Sequence, residues 1–435
     1  MAPRRNLGGH VPAAQGHCEP ICSIGEECRP TGIEGAGVSA RFMLRRLGSG
    51  RLSLNDPKGE AMGAGECLRV VTALVVAAFG ASVAAADEAE TATSPHMLAA
   101  EAVERLLAKP VCFESSSDFD GRGDVHEFPV VSSGITLSAE LYLPRGDGPW
   151  PAVILVPGGF NETDLIMLTP RHDAPRLARC GFAAVVYYKR GTGLSGGSYG
   201  DATYDDFADD VGSIARRLTH HPHIDPARIG VKGGSSGGLV ACVAAARYPE
   251  ISFVISTSGP IVSWEEESNI NIAHALRSRG YADSLVEQVL PLWRRHHAMW
   301  AAADTAGLET VASEIVAMRE CYDPFLLPTP YNEVFSDSNL VFLWPEFRSA
   351  SHDYLSEMKT MRAKWLSIYG EKDRIVPVTS CVRNIAALTK ASGNEAYTVI
   401  VLPGVDHSFF RTGTRDQVPV LRIVVNWLMA NVAKK

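Results

Sequence analysis

The sequence predicts an α/β fold, with a mostly parallel central sheet, helices on both faces and a largely helical cap inserted into it. Three observations carry that expectation. Short apolar runs of strand length alternate with helix-length segments up to Gly259; roughly a hundred residues without such a run follow; the alternation then resumes at Lys364. Strands covered on both faces read as continuous apolar runs, because neither side of a parallel sheet meets water.

The elements follow in order. MLAAEAVERLLA at 97–108 is an amphipathic helix, and the polar segment CFESSSDFDGRGD after it is a linker. ITLSAELYLP at 135–144 alternates like a half-exposed strand, whereas PAVILVPGG at 151–159 is a buried strand entering a glycine loop. APRLARCG at 174–181 reads as a helix stopped by Gly181, and FAAVVYY at 182–188 as another buried strand. From Thr203 to His221 the acidic residues come early and Arg216 and Arg217 late, the arrangement a helix dipole favours. RIGVKGG at 228–234 is a strand entering a glycine turn, SGGLVACVAAARY at 236–248 a helix, and ISFVISTS at 251–258 a strand. The insertion is mainly helical and rich in Trp and Phe, too long for a loop. After it come KWLSIYG at 364–370, a helix over 379–391, AYTVIVLPG at 396–404 and a last helix over 416–432.

Composition narrows the function classes. The 435 residues are 46% apolar and 21% charged, as in an ordinary globular protein. With 41 basic and 49 acidic residues the formal charge is −8, and no Lys/Arg block exists to follow a phosphate backbone, so nucleic acid is not an expected partner. Nine cysteines are too few for a disulfide scaffold, although one or two bridges fit, and their pairing stays open.

The start of the chain differs from the rest. Residues 1–61 are rich in Gly, Arg and Pro, without an apolar period, and are expected to be disordered or an upstream extension of the coding sequence. Cys18, Cys22 and Cys28, with His10 and His17, do not match a zinc-ligand spacing. Residues 62–86 resemble an export signal: VVTALVVAAFGASVAAA at 70–86 carries no charge, follows Arg69 and ends in small residues before Asp87. Translation is then expected to begin at Met62 or Met43, and the mature chain near Asp87, exported to the periplasm or beyond. Uncleaved, the same run would anchor the chain, although it is short for a membrane span. The remaining expected boundaries are an N-terminal helix and linker at 87–124, core at 125–259, cap at 260–355, and core again at 356–435.

The chemistry centres on Gly234-Ser235-Ser236-Gly237-Gly238, a G-x-S-x-G pattern between an apolar strand and a helix. Such a turn presents a serine beside a helix N-terminus, so Ser236 is the expected nucleophile and Gly237 N–H an oxyanion donor; Ser235 is the rival, ranked second. A serine hydroxyl needs a base and an orienting carboxylate, expected at later strand ends of the same sheet. Asp373, in YGEKDRIVP, and His407, in LPGVDHSF, occupy those places, in the order Ser, Asp, His. Val156-Pro157-Gly158-Gly159-Phe160 would give the second oxyanion donor, from Gly159 or Phe160, with Gly159 slightly preferred. Gly191-Thr192-Gly193-Leu194-Ser195-Gly196 satisfies a dinucleotide-binding pattern, yet no helix follows at once, and a turn is the better reading.

With these residues in place the chain resembles the α/β-hydrolase superfamily, and in particular bacterial esterases and serine aminopeptidase-like hydrolases with an inserted cap. The resemblance is carried by YYKRGTGLSGGSYGDATYDDFADDV, IDPARIGVKGGSSGG and FVISTSGP, and covers about residues 125–435. It implies the α/β-hydrolase fold, with Ser236 as nucleophile, His407 as base, Asp373 as acid, and Gly237 with Gly159 as oxyanion hole. The chain departs from related sequences at Tyr188, where Asp is frequent, at Pro157, where His is common, and at Ser235 and Gly237 around the nucleophile.

The expected reaction is hydrolysis of a carboxylic ester through an acyl-enzyme, because an alkoxide leaves more easily than an amine and the aromatic insertion suggests an apolar cavity. No cofactor or metal is required by it. The alternative is a serine exopeptidase on the same triad, with Glu265 and Glu266 holding a peptide's free amine; a non-catalytic binding protein ranks third. The substrate is thus a small acyl ester or a short peptide, and the oligomeric state stays open.

Overall fold

The computed structural model describes residues 45–46, 52–53, 97–98, 100–113, 124–159, 167–278, 281–301, 348–349 and 352–433. The signal-like run, the cysteines and histidines near the start, and most of the aromatic residues of the insertion lie outside them.

Two short strands, β1 (Arg45–Arg46) and β2 (Leu52–Ser53), pair antiparallel in a unit of their own. The larger unit opens with helix α1 (Ala100–Ala108) and strand β3 (Val125–Glu127). The run read as one strand at 135–144 is two. β4 (Val130–Ser132) and β5 (Ile135–Leu137) form a hairpin turned by Ser133 and Gly134, both at positive φ, while β6 (Ala139–Tyr142) belongs to the main sheet. Alternation marks the exposed face but not the break, because the hairpin and the sheet share the same period.

Then come β7 (Trp150–Val156), α2 (Leu168–Arg179), β8 (Ala183–Tyr187) and α3 (Tyr204–Thr219). Helix α2 begins six residues before the expected start and contains Pro175. Helix α3 starts at a capping box, in which Thr203 accepts from Asp206 N–H and the Asp206 carboxylate accepts from Thr203 N–H. β9 (Ile224–Gly234), α4 (Ser236–Arg247) and β10 (Ile251–Thr257) follow. The insertion contributes α5 (Trp264–Ser278) and α6 (Asp283–Ala301) as its described helices. The chain closes with α7 (Tyr354–Met358), β11 (Lys364–Gly370), α8 (Val378–Ser392), β12 (Tyr397–Leu402) and α9 (Val420–Asn431).

The eight-stranded sheet runs β12-β11-β10-β9-β7-β8-β6-β3, and only β6 opposes the direction of the others. The chain starts near one edge, crosses to the centre and reverses direction there, which brings the C-terminal ends of β7, β9, β10, β11 and β12 to one rim. Apolar residues of one strand serve two cores. Ala152, Ile154 and Val156 of β7 pack with α3, α4 and α8, whereas Val153 and Leu155 pack with α2 and α9 on the other face. Glycine makes room for a large neighbour across the sheet: Gly230 of β9 pairs with Phe253 of β10, and a Cβ at Gly230 would lie 2.3 Å from the Phe253 ring.

A disulfide joins Cys112 to Cys180 across 68 residues, tying the segment after α1 to the end of α2. Cys242 and Cys381 are buried free thiols, both pushed up by burial.

Candidate active site

At the end of β9 the chain must turn abruptly into α4. Ser235 takes the turn with φ 52° and ψ −133°, a conformation that costs a non-glycine residue on the order of 1–3 kcal/mol and persists only when its surroundings hold it. They do so on both sides. Ser235 N–H donates to Thr257 O at 2.9 Å, and its carbonyl accepts from Gly238 N–H at 2.7 Å. Gly233 is required beside it, since a Cβ there would lie 2.0 Å from Gly237 O.

The serine brought to the histidine is therefore Ser235, against the expectation for Ser236. His407 Nε2 lies 3.2 Å from Ser235 Oγ. Ser236 is the first residue of α4 and 6% exposed, and its Oγ is buried without a hydrogen-bond partner. The motif fits twice: Gly233-Gly234-Ser235-Ser236-Gly237 is as good a match as the register centred on Ser236. Spacing does not separate them; the strained backbone at the turn does, because it turns one hydroxyl toward the rim and the next into the packed start of the helix.

Asp373 and His407 sit as their strands require. Asp373 lies three residues beyond β11, its side chain fully buried; Oδ1 accepts from Ile375 and Val376 N–H, each at 2.9 Å, and Oδ2 faces His407 Nδ1 at 2.7 Å. A carboxylate only accepts, so Nδ1 carries the proton and Nε2 is left to accept from the serine hydroxyl. The histidine loop is pressed onto β11: a Cβ at Gly370 would lie 2.4 Å from the carbonyls of Val405 and Asp406. Asp406 closes its own turn, accepting from Ser408 and Phe410 N–H.

No sequence motif points to Ser258, which follows β10 at φ 50° and whose hydroxyl donates to His407 O at 3.0 Å. Its N–H donates to Ile368 O at 2.8 Å, so it joins the β10 end, β11 and the histidine loop.

The β7 loop meets the serine turn directly. A Cβ at Gly237 would lie 2.6 Å from Pro157 O, and one at Gly158 would lie 3.3 Å from Gly234 O. Gly159 continues this loop; Phe160 lies outside the described residues. Behind it, the Lys189 ammonium donates to Gly158 O. The glycine pattern at 191–196 is a closed turn, with Gly191 N–H donating to Gly196 O at 2.9 Å.

Glu265 and Glu266 stand in the first turn of α5 and, with Ser263, Asn269, Ile270 and Arg294, line an open surface depression of about 420 Å³. Glu266 is engaged at 3.3 Å by Arg383 of α8. Asp373 Oδ1 accepts from Val376 N–H, two residues before α8 begins. The first turn of α5 and the buried acid thus each contact the α8 segment, through Arg383 and Val376 respectively.

Among the described residues, Asp205, His352 and Glu357 bring potential metal ligands together. Arg247 already pairs with both carboxylates, filling the space between them with a cation.

The X-Pro dipeptidyl-peptidase family (S15 family) matches residues 133–407, more than half of the chain. Over 122 residues the chain is 32% identical to a curated protein of Bacillus subtilis (strain 168), the uncharacterized peptidase YuxL, covering 26% of this chain and 18% of that protein. It therefore spans well under two thirds of that relative's length. Among solved structures, an esterase of Pyrococcus furiosus is 16% identical with a TM-score of 0.46, covering 73% of this chain and 95% of the other. The Pyrococcus horikoshii acylaminoacyl peptidase is 16% identical with a TM-score of 0.44, covering 72% of this chain and 42% of the other. The match to residues 133–407 runs from the hairpin turn to the histidine itself, and on it the chain belongs to the X-Pro dipeptidyl-peptidase (S15) family of the α/β-hydrolase superfamily.

Proposed function

We propose that the protein is a serine hydrolase with Ser235 as nucleophile, His407 as general base and Asp373 as its orienting carboxylate. The observation that carries this reading is the chain of contacts from Asp373 Oδ2 to His407 Nδ1 and from His407 Nε2 to Ser235 Oγ. The Ser235 proton passes to Nε2 as Oγ bonds the substrate carbonyl carbon, and the carbonyl electrons move onto oxygen. Collapse of that intermediate breaks the bond to the leaving group, which takes the proton from His407. A water then repeats the sequence, giving its proton to His407 and its hydroxyl to the acyl carbon, and Ser235 recovers its proton. The oxyanion donors are the N–H of Ser236, the residue after the nucleophile, and that of Gly159; Gly237, expected from the other register, moves one place out of that role.

For the substrate we favour a peptide with a free amino terminus over an ester. Family membership supports an exopeptidase, and Glu265 and Glu266 line a surface depression on α5, whose Glu266 meets Arg383 of the helix that follows Asp373. The ester expectation rests on the easier departure of an alkoxide and on aromatic residues of the insertion, most of which lie outside the described residues. Turnover of dipeptidyl amides, N-blocked dipeptidyl amides and short acyl esters by the purified protein tests the choice. Faster cleavage of the unblocked amides supports the exopeptidase; faster cleavage of the esters overturns it.

Export is part of the same reading. A Cys112–Cys180 disulfide suits an oxidising compartment, and residues 70–86 have the pattern of a cleaved signal. Among the described residues no helix is long and apolar enough to cross a membrane.

A further inference from the structure

We propose that Lys189 is a positioning residue that sets the direction of the Gly159 N–H in the oxyanion site. The proposal rests on Ser235 being the nucleophile.

A planar trans peptide points its carbonyl and the following N–H to opposite sides. The Gly158–Gly159 bond is trans, so whatever grips the Gly158 carbonyl also aims the Gly159 N–H. Between two glycines the peptide plane would otherwise turn freely, since neither residue has a Cβ to resist it. The grip comes from Lys189, whose ammonium donates to Gly158 O from the side of β8. A charge-assisted bond of this kind is stronger than a neutral one, and by polarising the carbonyl it makes the N–H on the same peptide a better donor.

The lysine is itself held. It is 2% exposed, and its ammonium lies 4.8 Å from the centroid of the Phe207 ring and 5.7 Å from that of Tyr199. Its carbonyl accepts from Thr192 N–H at 3.0 Å and from Thr192 Oγ1 at 2.8 Å. Next in sequence, Arg190 grips both carboxylate oxygens of Asp210, at 2.9 and 2.7 Å, and Asp206 at 2.5 Å, pinning the loop to α3. A buried ammonium is costly to desolvate, and a Met of similar length would fill the same space without that cost. The chain retains the cation where its head meets the one carbonyl that orients a proposed donor.

The test uses Lys189→Met and Lys189→Gln in the full protein, with turnover, KM and affinity for a peptidyl boronate measured together. Loss of an aimed donor should lower kcat about 100-fold in K189M, leave KM within about threefold, and weaken the boronate by the same factor as kcat/KM. K189Q, which keeps a neutral donor, should fall between K189M and the wild type. A kcat for K189M within about threefold of wild type overturns the proposal, as does a fall in kcat without a matching loss of boronate affinity. If only K189Q folds, its kcat and boronate affinity decide; if neither folds, the lysine is structural and the proposal fails. Fluorophosphonate labelling of the wild type separates the two readings. Absence of label on Ser235 sinks the nucleophile assignment, whereas label on Ser235 with an unaffected K189M sinks only the positioning role.

Discussion

Ser235 Oγ and His407 Nε2 stand 3.2 Å apart, although 172 residues separate them in the chain. That contact needs the strained turn after β9 and the histidine loop after β12 to meet over the β10 and β11 ends, which Ser258 and Gly370 hold together.

The first prediction follows from this pair. S235A should lose on the order of 10⁶ in kcat and all fluorophosphonate labelling, with H407A similarly impaired. Replacing Asp373 by Asn should cost roughly 10⁴, since the histidine then loses its tautomer and electrostatic support rather than its reacting atom. S236A should retain labelling at Ser235 and turnover within about tenfold, as it leaves its backbone N–H in place. Peptide mapping of the labelled protein reads the site; label on Ser236 would reverse the assignment.

Gly233→Ala should damage stability and activity together. The new Cβ meets backbone, 2.0 Å from Gly237 O, so no flexible side chain can move aside. Overpacking of this kind costs about 1–3 kcal/mol, to be measured as a shift in the urea midpoint. Unchanged stability would show that the turn relaxes more easily than its contacts imply.

The Cys112–Cys180 bridge closes a loop over 68 residues. Chain entropy for a loop of that length gives about 4 kcal/mol at 25 °C, lost when both cysteines become serine. Urea unfolding of the double variant against wild type measures it, and mass spectrometry without reductant should find the linked peptides.

Acid should loosen the Arg247 network. Arg247, aided by His352, holds the Glu357 carboxyl below its usual range; at Asp205 burial works upward, and Arg247 with Tyr354 outweighs it. Carboxylates with lowered folded values stabilise the protein above their ordinary values near about 4, and that contribution disappears as the pH falls further. Tm between pH 5 and 3 should therefore drop more steeply in wild type than in R247M, by on the order of 2 °C or more. Parallel curves would show that the network adds nothing to acid stability.

Recovery of the exported protein with its amino terminus at or near Asp87 is expected from the small residues that end the 70–86 run. N-terminal sequencing checks it, and a chain that still carries residues 70–86 would contradict it.

Much of this arrangement is legible in the sequence because it depends on periodicity. Apolar runs at 151–156, 183–187 and 364–370 announce strands covered on both faces, and the polar residues just past later strands, Asp373 and His407, fall where such a sheet collects its loops. Their positions depend only on where a strand ends. What separates Ser235 from Ser236 depends on a backbone angle, and two overlapping registers of one glycine pattern carry no information about φ. The bond from Ser235 N–H to Thr257 O and the closeness of Gly233 to Gly237 select the first serine, and both exist only once β9, β10 and α4 are packed. Ser258, Lys189 and the Cys112–Cys180 pairing were hidden for the same reason. Each acts on a residue distant in sequence, so its role is created by tertiary apposition rather than by local pattern.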